Sequence, residues 1–300
     1  MRVSFDRVAL WLVVSVLPIG CHRPSYHYFN QTPPTDEPKV FAPGIVSLPD
    51  RNEEVITFSP DGTKIYFSVE FYPEPKPSFT LVTKYKDGQW STPDTASFSV
   101  RRRTSEPHLA LNGIRIYYFA NGVENQKGAL DLCYSEKIDS TWSEPISLPA
   151  PPNALSPGYS LHPCVISDTS IYFSTNTGEI CRSQYRNGAY QPVEKLPRPI
   201  NYLNQPDTEC WGDAYVSPDE EFMIFRSNRP GGFGGSDLYI TFKKGNTWSD
   251  PVNLGSKINS SSDELGGDIT PDGKYMTFGR DGDIYWVSAD FINQRKQALN

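Results

Sequence analysis

Residues Ser217 to Pro251 read SPDEEFMIFRSNRPGGFGGSDLYITFKKGNTWSDP. Ser217-Pro218-Asp219 is a turn, and Phe222-Met223-Ile224-Phe225 a short apolar strand. A glycine loop, Gly231 to Gly235, leads into a second strand, Asp237 to Phe242. Lys244-Gly245-Asn246 then makes a tight turn, and Trp248 opens a last strand that Pro251 interrupts. Apolar and aromatic runs bounded by Gly, Pro, Asn and Asp are strand-and-hairpin signals.

The unit recurs. Anchored on the strand after its first turn, the equivalent residues are Ile65, Ile116, Ile171, Met223 and Met276, spaced 51, 55, 52 and 53 apart. The preceding turns are Ser59-Pro60-Asp61-Gly62, Leu111-Asn112-Gly113, a degraded Ser167-Asp168-Thr169, Ser217-Pro218-Asp219 and Thr270-Pro271-Asp272-Gly273. An Asp-Leu-Tyr element returns as Asp131-Leu132-Cys133, Glu179-Ile180-Cys181, Asp237-Leu238-Tyr239 and Asp283-Ile284-Tyr285. The closing element returns as Trp90…Pro93, Trp142…Pro145, Tyr190…Pro192 and Trp248…Pro251. Several strands in a unit of about 40–50 residues are the mark of a β-propeller. The expectation is an all-β chain of five blades, each of four antiparallel strands, with six blades as the alternative.

Residues 40 to 49 resemble a closing strand, yet they stand before the first full unit, and the last unit lacks one. The N-terminal strand is therefore expected to complete the last blade and close the ring, which removes exposed sheet edges. The dipeptides Asp61-Gly62, Asn112-Gly113, Asp272-Gly273, Asp87-Gly88 and Asn187-Gly188 supply the positive φ that tight hairpins need.

The flanks read differently. Residues 1–21 have the form of an export signal: Arg2 and Arg7, an apolar run from Val8 to Val16, then Leu17-Pro18-Ile19-Gly20-Cys21. The run is too short to span a bilayer. Cys21 after Gly20 resembles a lipoprotein cleavage site, with ordinary signal cleavage or an uncleaved anchor as alternatives. Residues 22–39 read as a flexible Pro-rich tether, 40–290 as the propeller and 291–300 as a tail. This predicts an exported protein held on a membrane through its lipid alone, facing the periplasm or the cell exterior. The net charge of −7 argues against nucleic acid as a partner.

The repeat resembles the WD-like propeller repeat of the TolB type, whose hallmark is carried by Phe58-Ser59-Pro60-Asp61-Gly62-Thr63-Lys64-Ile65-Tyr66-Phe67. The loop Ser227-Asn228-Arg229-Pro230-Gly231-Gly232 and the ending Gly282 to Val287 resemble an exported bacterial subgroup. The resemblance covers residues 40 to 290 and implies an envelope location and protein binding at the propeller. It departs from the family's best-known member in having five units rather than six, and no partner-binding segment of that member is recognisable.

The chemistry-bearing motifs are sparse. The Gly231–Gly235 loop is followed by a strand rather than a helix, so it reads as structural rather than as a phosphate cradle. The Asp of each Ser-Pro-Asp turn serves its own turn. Cys133 and Cys181 read as small buried fillers, and a Cys164–Cys210 bridge is a possibility open to an exported chain. No metal site and no cofactor are expected. Reading back from each turn, acids and histidines precede every inner strand: Glu53 and Glu54, Glu106 and His108, His162, Glu209 and Asp213, then Asp263, Glu264 and Asp268, with Trp211 beside them. These residues are expected to ring the mouth of the central channel, either bonding neighbouring blades together or focusing a field that favours a cation or basic partner. The leading expectation is a non-enzymatic envelope propeller binding a protein or cell-wall glycan. The alternative is a carbohydrate-active enzyme, glycosidase or lyase, using carboxylates in the channel. Oligogalacturonate lyases of similar fold hold a metal with a histidine cluster, and the propeller's two histidines, His108 and His162, are too few for that pattern.

Overall fold

The computed structural model describes residues 26–70, 78–121, 123, 130–154, 160–167, 170–175, 178–202 and 212–298. Five antiparallel sheets follow one another along the chain, and their inner strands are Asn52–Phe58, Thr104–Leu109, Ser160–Ile166, Ala214–Val216 and Glu264–Ile269. These define blades 1 to 5. The repeat register is real: the anchors Ile65, Ile116, Ile171, Met223 and Met276 are all buried in second strands and pair with Phe58, Leu109, Val165, Val216 and Ile269.

The outer strand of blades 1 to 4 is broken in two. In blade 4, Thr247–Trp248 and Val252–Asn253 both pair with the third strand, Asp237–Lys244, and the break falls at Pro251, which has no amide hydrogen to offer a ladder. Blade 5 takes its outer strand from the other end of the chain. Lys39 and Val40 pair with Trp286 and Tyr285, so the ring is closed as the sequence predicts. Phe41 and Val46 follow into the seam between blades 5 and 1, both fully buried against Phe58, Ile284 and Trp286.

The turns are built alike. Ser59 Oγ donates to Asp61 Oδ1 at 2.5 Å and accepts from the Lys64 amide at 2.8 Å, and Ser217 and Thr270 repeat this with Asp219 and Asp272. The aspartates thus cap their own turns. At Asp87-Gly88 and Asn187-Gly188 both residues have positive φ, the geometry of a two-residue hairpin. The glycine loop wraps the Asp237 carboxylate, which accepts from the amides of Phe233 and Gly234. A Cβ on Gly234 would meet Ser262 O at 2.1 Å, so only glycine lets this loop lie against the approach to blade 5.

Two boundaries differ from the sequence expectation. Residues 26–31, read as tether, lie on the closure seam: Tyr26 donates to Pro60 O, Trp90 donates to His27 O, and Tyr28 packs against Phe58, Tyr275 and Trp286. Aromatic density overrode proline content there. The tail is a helix, Asp290–Ala298, whose Phe291 and Ile292 pack on the core of blades 4 and 5. Cys133 and Cys181 hold equivalent buried positions, opposite Tyr118 and Phe173. Cys164 is a free thiol hydrogen-bonded with Val216, so the bridge to Cys210 is not formed; Cys210 itself lies outside the described residues. Cys21 and the export segment also lie outside them. No helix among the described residues is long and apolar enough to cross a membrane.

Candidate functional site

The five inner strands line the central channel, and their register sorts the side chains into levels. Four of them carry an irregularity at one place, between Glu53 and Ile56, Ser105 and His108, Leu161 and Cys164, and Leu265 and Asp268. A bulge re-aims side chains and raises local twist, and such irregularities cluster at functional rims. Counting back from the pairs with the anchors, Thr57, His108, Cys164, Tyr215 and Asp268 occupy one level. Two residues earlier stand Val55, Glu106, His162, Asp213 and Gly266. Glu106, His162 and Gly266 share a positive φ, which turns those backbones alike.

In the middle of the channel, Asp213 pairs with Arg226 at 2.9 Å, both nearly buried. Glu106 of blade 2 accepts a hydrogen bond from the His162 amide of blade 3. Burial, with the charges of Asp213 and Glu54 added to it, holds the Glu106 carboxyl well above its ordinary range. Glu54 is pushed up to about 7 by burial and by Glu70 and Asp213. His162 is pushed down by burial, so its ring is held neutral. Glu54, Glu106 and His108 keep partial solvent contact although protein surrounds them, as side chains lining an internal channel do.

At the face where the inner strands begin, Glu264 is fully buried and held by Arg280 and Ser260, while Asp263 is exposed and accepts from Ser236. Glu53 is likewise buried and paired with Arg51. Glu209 and Trp211 lie outside the described residues. The acids and histidines read from the sequence are therefore spread along the channel rather than gathered at one mouth. Glu54, Glu106, His162 and Asp213 share its middle, with Arg226 among them.

A cavity lies at the opposite face, among the Ser-Pro-Asp turns. It measures about 460 Å³. Its walls are apolar, from Phe58, Leu109, Leu111, Val165, Val216, Phe222 and Ile269, and its polar lining includes Thr57, His108, Tyr215 and Asp268. Tyr26, Ile292 and Asn293 complete the rim from the two chain ends. Burial raises Asp268 to about 7, opposed by a hydrogen bond from the Ile269 amide, and lowers His108 to about 4. His108 Nε2 lies 3.3 Å from Val165 O, so the neutral ring donates there and keeps Nδ1 as an acceptor. Tyr215 and Arg226 were not singled out in the sequence. The register could have found Tyr215, which stands where other blades place His108 and Asp268. Arg226 announces itself as a charge inside an apolar strand. Among the described residues no three His, Cys, Asp or Glu side chains are placed to hold a metal ion.

Among solved structures the chain is similar to a protein assigned as TolB from Agrobacterium tumefaciens, at 14% identity and a TM-score of 0.48, covering 76% of this chain and 69% of that one. In fold the chain is a five-bladed β-propeller. It is similar also to a protein assigned as a glucose dehydrogenase from Thermus thermophilus, at 13% identity and a TM-score of 0.46, covering 83% of this chain and 98% of that one. A puromycin-hydrolysing peptidase from Mycobacterium tuberculosis matches at 12% identity and a TM-score of 0.45; 82% of this chain is covered but only 38% of the peptidase. At such identities the likeness concerns the fold alone and transfers no chemistry. No protein-family model matches the chain, and no curated protein matches it.

Proposed function

We propose that this protein is a non-enzymatic binding module of the cell envelope, exported, lipid-anchored at Cys21, and taking its ligand in the turn-face cavity. His108 and Asp268 meet the ligand, while Glu54, Glu106, His162 and Asp213 set the field of the channel behind them. The observation that carries this reading is the cavity's composition. Two carboxylates line it, and Asp219 is committed to its turn through Ser217 and the Glu221 amide. Asp268 is left as a single carboxylate in an apolar-walled pocket, which suits recognition; glycosidic cleavage needs a pair flanking the bond. The ligand is a protein segment or a component of cell-wall material.

The carbohydrate-active reading rests on one feature, the raised pKa of Asp268, which would suit a general acid. Incubation with isolated cell-wall material separates the two. The expected outcome is saturable co-sedimentation without release of reducing ends. Sugar release by the wild type, lost in Asp268→Asn, would establish an enzyme instead.

A further inference from the structure

Asp268 lacks a counter-charge among the described residues. Among the described residues its carboxylate has one hydrogen-bond partner, the neighbouring Ile269 amide, and no arginine or lysine acts on it. It contrasts with Asp213, Glu53 and Glu264, each of which is buried with an arginine beside it. Buried carboxylates are as a rule paired. Asp268 is nine-tenths buried and faces a cavity, so the place of its partner is the cavity itself.

The surrounding groups can all accept hydrogen bonds. Tyr215 is also nine-tenths buried, lies close enough to Asp268 to feel its charge, and its hydroxyl has no hydrogen-bond partner among the described residues. His108, with Nε2–H committed to Val165 O, offers the lone pair of Nδ1. A carboxylate, a hydroxyl and an imidazole nitrogen together can satisfy several N–H donors on one cationic head. Beyond them the walls are mainly apolar, with Asp219 tied to its own turn, which would leave a bare metal ion short of ligands but would cover the body of an organic cation. The volume, about 460 Å³, falls in the range of small-molecule sites. The net charge of −7 and the acidic mid-channel favour a cation over an anion.

We propose that the turn-face cavity binds a small organic ammonium ion, its charge on Asp268, Tyr215 and His108 and its hydrocarbon body against Phe58, Leu109, Val165 and Ile269. The proposal rests on the cavity being the binding site, and it names the chemistry of the ligand, whether a free amine or an ammonium-bearing group of a larger envelope molecule.

The test is calorimetric titration of the whole chain in non-ionic detergent at pH 8. Three ammonium ions serve as probes, 2-phenylethylammonium, cyclohexylmethylammonium and n-hexylammonium, each beside its neutral alcohol. At least one ammonium should bind with one-to-one stoichiometry, and its alcohol at least tenfold more weakly. Asp268→Asn should weaken ammonium binding at least tenfold with the alcohol unaffected. Tyr215→Phe, which keeps the ring and removes only the hydroxyl, should weaken it several-fold and serves if Asp268→Asn does not fold. Equal binding of ammonium and alcohol would overturn the ligand class while leaving the cavity a binding site. Failure of all six probes would overturn both the ligand class and the cavity's role. Ammonium binding indifferent to Tyr215→Phe and Asp268→Asn would place the cation elsewhere and overturn the proposal.

Discussion

Arg226 is a cation set among Glu54, Glu106 and Asp213, and its pairing with Asp213 at 2.9 Å is nearly sealed from water. Arg226→Met keeps the volume and leaves three carboxyls facing one another. Breaking a buried pair from one side costs about 3–5 kcal/mol, so urea unfolding should show a loss of that order. A loss below about 1 kcal/mol would mean that the channel solvates these acids well. The raised carboxyls also set a pH dependence. Glu54 and Asp268, both near 7 when folded, keep their protons in the folded chain after the unfolded chain has lost them. The folded state therefore binds more protons between about pH 4 and 7, and stability falls as pH rises through that window. His108, lowered to about 4, acts in the opposite sense over pH 4 to 6.5, because its neutral ring is favoured by folding. The carboxyls Glu54, Glu106 and Asp268 outnumber the histidines, so the melting temperature should fall from pH 5 to pH 8, and Asp268→Asn should flatten the fall. A steeper fall in that variant would contradict the assigned direction.

The strands of each blade were legible because turn chemistry and apolar runs are local, whereas what seals the blades is a side-chain device that hydrophobic pattern does not reveal. In blades 2, 3 and 4 the third strand is bonded near its start by Asn153, Asn201 and Asn259, whose Oδ1 accepts from the amides of Leu132, Ile180 and Leu238 and whose Nδ2 donates to the same residues' carbonyls. Each asparagine follows by five residues a leucine that is itself hydrogen-bonded to that strand residue, Leu148, Leu196 or Leu254. The side chain thus stands in for backbone where the outer strand has ended. Blade 5 uses Ser47 at the same place, on Ile284. The spacing was present in the sequence, but an asparagine near prolines reads as loop. Asn259→Ala would orphan the buried Leu238 amide, while the Leu238 carbonyl keeps its bond from the Leu254 amide, and should cost about 1–3 kcal/mol in denaturant unfolding. An unchanged midpoint would mean that water takes the place of the amide. The C-terminal helix was missed for a related reason: its apolar contribution is Phe291 and Ile292 alone, too little for a periodic signal.

At the scale of the molecule, the five-fold repeat and its closure were readable because registered markers carry phase as well as composition. The place of the cavity was not, since the sequence shows which residues lead into each inner strand but not which end of the channel the chain termini enclose. Deleting residues 1–49 removes the outer strand of blade 5 together with Phe41 and Val46, both fully buried. Loss of Phe41 alone is worth about 3–5 kcal/mol, and a domain of this size shifts by about 2–4 °C per kcal/mol, so the melting temperature should drop by about 10 °C or more. The same N-terminal segment fixes an orientation. Tyr26 is hydrogen-bonded to Pro60 O and lines the turn-face cavity, and four residues separate it from Cys21. Even fully extended, that link reaches about 18 Å. Lipid on Cys21 would therefore hold the turn face, and the cavity with it, toward the membrane. Two measurements follow from this. Cys21→Ser should move the protein from the membrane to the soluble fraction, with fatty-acid labelling confined to the wild type; equal partitioning of both would favour an uncleaved anchor. A fluorophore at Asn293, exposed on the cavity rim, should be quenched by lipid-borne quencher more strongly than one at Asp263, exposed on the opposite face. The reverse order would show that the cavity looks away from the membrane and that its ligand arrives from the aqueous side.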